Sequence, residues 1–359
     1  MIKPESRTIS PSELYERVAT AKAKLGSSLV VLGHHYQRDE VVRFADFKGD
    51  SFQLSAQAAG RKDANYIVFC GVRFMAEIAD ILSAPTQQVI LPEPTAGCSL
   101  ADMAGLHSVE ECWQAITCRS EHKVIPVTYV NSSAALKSFC GEHDGIVCTS
   151  SNAYRAFQWA VERGERILFF PDEHLGRNTA DKLGFSPSEI AVWNPRLPQG
   201  GLDTRERDNA RIVLWKGCCP VHMQFGVEHV REARERFLGV RVIVHSECRR
   251  EVVAESDFDG STEHIIRVVT EAPANSTWAI GTDSNLVSRL ARQCPDKHIF
   301  SLKPDAVPCQ TMNRTRVSHL CQVLEALVDG QVPNRIQVVP ETARWARVAL
   351  DRMLELANR

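Results

Sequence analysis

Apolar residues fall along this chain in short unbroken runs that stop abruptly at polar ones: SLVVLGHHYQ near residue 30, KVIPVTYVNSSA at 123–134 and VRVIVHSECRRE at 240–251. Such runs, without polar alternation, predict strands buried on both faces of a parallel sheet. A second set follows, ANYIVFCG (64–71), DGIVCTSSN (144–152) and STWAIGTDSN (276–285), each leading into a helix start. A third set, QQVILPEPTAGCSLAD, ERILFFPDEHLGRNTA and KHIFSLKPDAVPCQT, begins about twenty residues after the second each time. That spacing is the mark of a supersecondary unit used three times.

Between the runs, apolar positions take helical spacing. The first helix is bounded at both ends, with Ser10 as N-cap, Pro11 in the first turn, Glu13 closing a capping box and Gly26 ending it. The last fifty residues, with CQVLEALVDGQ and ETARWARVALDRMLELA, are helical in pattern and are expected to pack back on the first unit. Strands alternating with helices predict an α/β chain of three tandem, pseudo-symmetric α/β/α sandwich domains, each with a short parallel sheet, around a central active site. Residues 1–104, completed by C-terminal helices in 310–359, form the first domain; 105–210 form the second and 211–309 the third. Ligands collect at the carboxyl ends of parallel strands, where every polar cluster of this chain falls.

Charge and composition narrow the function. Lys plus Arg number 42 and Asp plus Glu 44, for a net charge of -2 over 359 residues, so no broad field recommends nucleic acid or an anionic membrane. A small-molecule substrate fits better. The N-terminal stretch MIKPESRTISPSELYERVATAKAKLG lacks an apolar signal core, and no run approaches the roughly eighteen residues of a membrane span, so the chain reads as cytoplasmic. Twelve cysteines, scattered over so long a chain, do not make the dense framework of a small secreted domain. Reduced thiols, some of them available to a metal, are the expectation.

Cys98 in PEPTAGCSLAD and Cys309 in PDAVPCQTMN stand at matching places past the third strand of units one and three. Unit two has FPDEHLG there, but its CCPVH turn, after the apolar stretch RIVLW, supplies a third thiolate from Cys218 or Cys219. Three thiolates from distant loops can hold a four-iron, four-sulfur cluster and leave one iron open as a Lewis acid. A zinc site is the alternative, although zinc favours close pairs such as C-x-x-C. Any single cysteine is more often a small buried hydrophobe, the reading given to Cys70, Cys112, Cys118, Cys148, Cys294 and Cys321.

The first-strand ends carry His34 and Tyr36, Tyr129 and Asn131, and His245 and Glu247, each pair spaced to point to one side of an extended segment. One such residue is often just a satisfied polar group; six at equivalent places predict a site. GDSFQLSAQ, TSSNAYRAF and DGSTEHII each read as a turn entering a helix. Capping alone explains each, whereas three in register predict a multiply anionic substrate held by helix N-termini.

With these motifs in order, from GHHYQ through GDS, GCSLAD, TYVNSSA, CTSSNA, GCCPVH, HSEC and GST to the Cys309 loop, nearly the whole chain resembles the quinolinate synthase family, iron–sulfur enzymes of de novo NAD biosynthesis. The resemblance implies a 4Fe-4S cluster held by Cys98, Cys219 and Cys309, and condensation of iminoaspartate with dihydroxyacetone phosphate to quinolinate, releasing phosphate and water. It gives His34 and Tyr36 active-site roles, with Tyr36 as acid–base group. Ser51, Tyr129, Asn131, Ser150, His222, His245, Glu247 and Thr262 match substrate-contacting positions, and Glu247 is suited to accept protons. An aspartate-oxidising enzyme is the implied supplier of the imine. The chain departs from the family's usual pattern at Ser246, where Pro is common, at Asn313, near a usual Lys, and at Asp283-Ser284-Asn285, in place of Glu-x-Gly. Another iron–sulfur hydro-lyase, acting on a hydroxy acid, is the competing reading.

Overall fold

The computed structural model describes residues 10–60, 63–118 and 121–357. They form an α/β structure with three sheets dominated by parallel strands. The first sheet holds β1 (Leu29–His34), β2 (Phe47–Gly49), β3 (Tyr66–Cys70) and β4 (Gln88–Ile90). The second holds β5 (Val124–Tyr129), β6 (Ile146–Cys148), β7 (Arg166–Phe170), β8 (Ile190–Trp193) and β9 (Ile212–Trp215). The third holds β10 (Arg241–His245), β11 (Phe258–Gly260), β12 (Thr277–Gly281) and β13 (His298–Ser301), and a last strand, β14 (Arg335–Ile336), returns antiparallel onto β4.

The strand orders, β14-β4-β3-β1-β2, β6-β5-β7-β9-β8 and β11-β10-β12-β13, share one core. In each, the first strand lies between a three-residue edge strand and a longer parallel partner: β2–β1–β3, β6–β5–β7 and β11–β10–β12. This corrects the sequence alignment of the units. DGIVC forms β6, the counterpart of β2 and β11, and the counterpart of β3 and β12 is β7. The slip has a physical origin: β2 and β11 are FKG and FDG, too short and too polar to stand out as apolar runs. RIVLW forms β9 and takes the place of β4 and β13, while β8 is an addition at the sheet edge. The chain therefore leaves the second sheet only after Trp215, beyond the expected hand-over at 211.

The end caps agree with local chemistry. The Ser10 hydroxyl accepts the Glu13 N–H at 3.2 Å, and Gly26 ends the helix Pro11–Leu25 at a φ of 54°, where a side chain would be strained. The C-terminal region divides its contacts between two units. The helix Val317–Val328 packs on Pro11–Leu25 beneath the first sheet, with Arg17 paired to Glu325 at 2.7 Å. The helix Pro340–Ala357 instead lies chiefly against Ala134–Glu142 of the second unit. The two approach so closely that a Cβ on Gly141 would stand 2.0 Å from the Trp345 carbonyl oxygen.

Candidate active site

The central strands β1, β5 and β10 all end at one cavity. Their last residues, His34, Tyr129 and His245, and the residues two further on, Tyr36, Asn131 and Glu247, line it together. The backbone repeats: the N–H of the intervening residue, His35, Val130 or Ser246, donates to Gly49, Cys148 or Gly260 of the neighbouring edge strand. The Tyr36 N–H donates to His34 Nδ1 at 3.1 Å and the Glu247 N–H to His245 Nδ1 at 3.2 Å. Burial, with help from His35 and Arg289, holds His34 down to about 3. Burial, with help from His222, does the same for His245. Both rings are neutral at pH 7, and with Nδ1 accepting, the proton sits on Nε2.

Glu247 is the charged centre of the cavity. Burial works to raise its carboxyl, but His222 and His245, with hydrogen bonds from His222 and Tyr129, outweigh that and hold it to about 2. His222 Nδ1 lies 2.9 Å from Glu247 Oε2, and the Tyr129 hydroxyl donates to Oε1. The His222 and His245 rings stack at 4.2 Å. On its other side His222 Nε2 lies 3.2 Å from Thr282 Oγ1, which also stands 2.8 Å from the Tyr36 hydroxyl. Tyr36 meets Thr262 Oγ1 at 3.0 Å, and burial pushes its phenol well above the usual range. A continuous path of hydrogen-bonding groups thus joins Tyr36, Thr282, His222 and Glu247.

The three cysteine loops are equivalent. Each follows the strand at the same place in its sheet, β4, β9 or β13. In each, the N–H four residues past the cysteine, at Asp102, Met223 or Asn313, donates to the cysteine carbonyl. A short 3₁₀ turn starts three residues after each cysteine, at Ala101, His222 and Met312, and a helix starts eight after, at Leu106, Val227 and Val317. Cys98, Cys219 and Cys309 all line the cavity. Cys218 does not; it lines a separate groove with Met103 and Lys216, and its N–H points to Met103 Sδ at 3.3 Å. That geometry separates the adjacent thiols, Cys219 lining the cavity and Cys218 the groove.

Burial pushes the Cys98 thiol up to about 12, and drives Cys219 and Cys309 the same way, each raised further by a charge on another of the trio or on a nearby carboxylate. Left to themselves these sulfurs keep their protons at neutral pH. Buried packing cysteines such as Cys112 and Cys148 are raised in the same way, so what fits an iron–sulfur group is the donor set itself, three soft sulfurs from three loops lining one cavity. Cys219, His222 and Glu247 also offer ligand atoms within 4.8 Å of one another, the geometry of a single-ion site. There, however, His222 and Glu247 are already hydrogen-bonded to each other.

The anion-binding expectation also meets this cavity. Ser51 and Thr262 are the first residues of the helices Ser51–Gly60 and Thr262–Glu271, and Ser150 precedes the helix Ala153–Val161; all three line the cavity. Asp50 caps the first helix and its Oδ2 accepts from Ser151 at 3.0 Å, tying the first unit to the second. Sequence reasoning missed Thr282 and Asp50. Thr282 directly follows β12, the same strand-end signal that flagged the others, one strand over.

Fold and cavity together define an α/β enzyme assembled from three like units around one buried site. The chain belongs to the quinolinate synthetase A family, whose model, NadA, matches residues 16–355. It is 53% identical over 353 residues to the quinolinate synthase of Streptomyces coelicolor, covering 97% of this chain and 90% of that one. Similarity to the quinolinate synthases of Corynebacterium glutamicum, 52% identical with 99% and 91% covered, and Geobacillus kaustophilus, 49% with 98% and 95%, is just as extensive. Among the described residues no helix is long and apolar enough to cross a membrane.

Proposed function

We propose that this chain is a quinolinate synthase that condenses iminoaspartate with dihydroxyacetone phosphate, releasing phosphate and water, with a 4Fe-4S cluster held by Cys98, Cys219 and Cys309. The observation that carries this reading is the meeting of those three thiols, from equivalent loops, in one cavity with Glu247, His34 and His245. Bound there, such a cluster supplies one open iron, a Lewis acid toward a substrate carbonyl or hydroxyl oxygen.

The protein's own groups divide the remaining work. Ser51 and Thr262, at the first positions of their helices, and Ser150, three residues ahead of Ala153, face the cavity and bind carboxylate and phosphate through their hydroxyls and the positive ends of the helix dipoles. His34 and His245, neutral, present Nε2–H donors to substrate oxygens and orient them. Glu247, ionised at neutral pH, is the base that accepts a proton from the condensing carbon or nitrogen, while Tyr36, a neutral phenol, gives or receives one in keto–enol exchange. Asn131 and Tyr129 border the same space and orient substrate. Burial excludes the water that would hydrolyse an imine. Because the imine is unstable, an enzyme that oxidises aspartate is the expected supplier.

Anaerobic holoenzyme given iminoaspartate, generated in place, and dihydroxyacetone phosphate should yield pyridine-2,3-dicarboxylate, read by chromatography. No pyridine product, together with dehydration of a single hydroxy acid, would overturn this reading in favour of a hydro-lyase.

A further inference from the structure

Three buried side chains outside the cavity each grip the backbone on both sides of one strand-end residue. Arg289, on the helix Ser284–Gln293, donates from Nη1 to the His35 carbonyl at 2.7 Å and from Nη2 to the Gln37 carbonyl at 2.6 Å, on either side of Tyr36. Lys137 Nζ donates to the Val130 carbonyl at 2.8 Å and the Ser132 carbonyl at 2.5 Å, on either side of Asn131. Asn178 Nδ2 donates to the Ser246 and Cys248 carbonyls, both at 2.8 Å, on either side of Glu247. We propose that Arg289, Lys137 and Asn178 are positioning residues that fix the aim of Tyr36, Asn131 and Glu247 into the cavity. The inference rests on the site roles given above, since aim matters only for side chains that meet substrate.

The placement of the three donors separates this from incidental packing. Asn178 and Arg289 each lie six residues after the N-cap of their helix, Asp172 and Asp283, and each reaches from one unit into the next. The matching position in the first unit, six residues after Val72, is Ile78, which has nothing to donate. The second unit's turn is clamped all the same, by Lys137 from its own following helix, Ala134–Glu142. Inherited repeat packing would have left that turn unclamped; a donor supplied from a different position points to a requirement of the turn itself. Lys137 is fully buried, and burial pulls its ammonium down to about 7, a cost that a side chain without needed hydrogen bonds would not carry. Arg289 offsets part of its own cost through Asp39, whose Oδ1 accepts from Nε at 2.7 Å.

The chemistry of the clamp also says which replacements serve. Lys137 demonstrates that one lysine Nζ can bridge two such carbonyls, so Arg289→Lys should preserve the grip and Arg289→Met abolish it. By the same reasoning Lys137→Gln, carrying an amide as Asn178 does, should outperform Lys137→Met.

The test uses full-length holoenzyme and reads kcat, KM, melting temperature and amide hydrogen exchange. Asn178→Leu and Arg289→Met should lower kcat about 100-fold with KM changed only a few-fold, the loss expected when a reacting group is displaced by about 1 Å. Arg289→Lys should stay within about tenfold of the parent. Exchange should quicken at residues 246–248 in Asn178→Leu and at 35–37 in Arg289→Met, with the other two turns unchanged. Exchange rising throughout the chain, unchanged local exchange, or Arg289→Lys as slow as Arg289→Met would overturn the proposal. If the parent enzyme makes no quinolinate, the functional reading fails and local exchange alone decides the clamp. If Lys137→Met does not fold, Asn178→Leu and the two Arg289 variants decide it.

Discussion

At the end of β1 the Tyr36 N–H meets His34 Nδ1 at 3.1 Å, and at the end of β10 the Glu247 N–H meets His245 Nδ1 at 3.2 Å. The backbone of the two turns is the same, yet the side chain two residues past each histidine is kept in an opposite state. Tyr36 touches the neutral hydroxyls of Thr262 and Thr282, and burial keeps its proton on. Glu247, more deeply buried, is held ionised by His222 and His245 and by hydrogen bonds from His222 and Tyr129. A repeated scaffold thus sets where a group stands, while the residue types at the positions around it set its charge.

The most severe way to break that contrast is to erase the charge and keep the shape. Glu247→Gln should lower quinolinate turnover about 1000-fold, within the usual range for a general base, in a steady-state assay that also records cluster content. A variant with normal cluster and normal turnover would remove Glu247 from the proton-transfer role. Tyr36→Phe tests the neutral partner, with an expected loss of about 100-fold in kcat. If the loss appears only in KM, Tyr36 binds substrate and moves no proton.

The paired histidines sharpen the comparison through stability. His34 and His245 are held from 6.5 down to about 3 by burial. The unfolded chain therefore binds more protons than the native one between pH 6.5 and 3, and stability is lost as pH falls through that window. Denaturant titrations should show a loss of about 2–3 kcal/mol between pH 7.5 and 5.5 from the two rings together. A flat profile would mean that both rings are charged in the native state, and half the loss that one of them is. The smallest effect is expected at the link between the turns, since Thr282 Oγ1 touches both Tyr36 and His222. Thr282→Val should cost about 1 kcal/mol in a denaturant midpoint and leave both partners one bond short. A neutral result would show that each has found another partner.

What the sequence disclosed follows the same division between scaffold and neighbours. The buried runs of β1, β5 and β10 announce themselves by unbroken apolar character, so their polar ends, and all the site residues chosen there, were legible. The edge strands β2 and β11 were not, because three residues carrying Lys48 or Asp259 make no apolar signal, and the second unit was therefore aligned one strand out of step. Its cysteine loop consequently looked unmatched, although β9 places it in line with the other two. The choice of Cys219 over Cys218 was legible only through the resemblance, in its G-x-C-x-V-H register; among the described residues it is Cys219 that lines the cavity. Thr282, Arg289 and Asn178 stayed hidden because their partners lie far off in the chain, as Tyr36 lies 246 residues from Thr282; Lys137 is only five and seven residues from the carbonyls it bridges, but nothing in its sequence neighbourhood marks a lysine as buried.

Iron and acid-labile sulfide counted on anaerobically prepared protein bear most directly on the central claim, that Cys98, Cys219 and Cys309 jointly hold one inorganic core. About four irons and four sulfides per chain are expected, with each Cys→Ser variant losing both the core and quinolinate synthesis. A protein that makes quinolinate at full rate with no sulfide, or with a single metal ion bound, would contradict it.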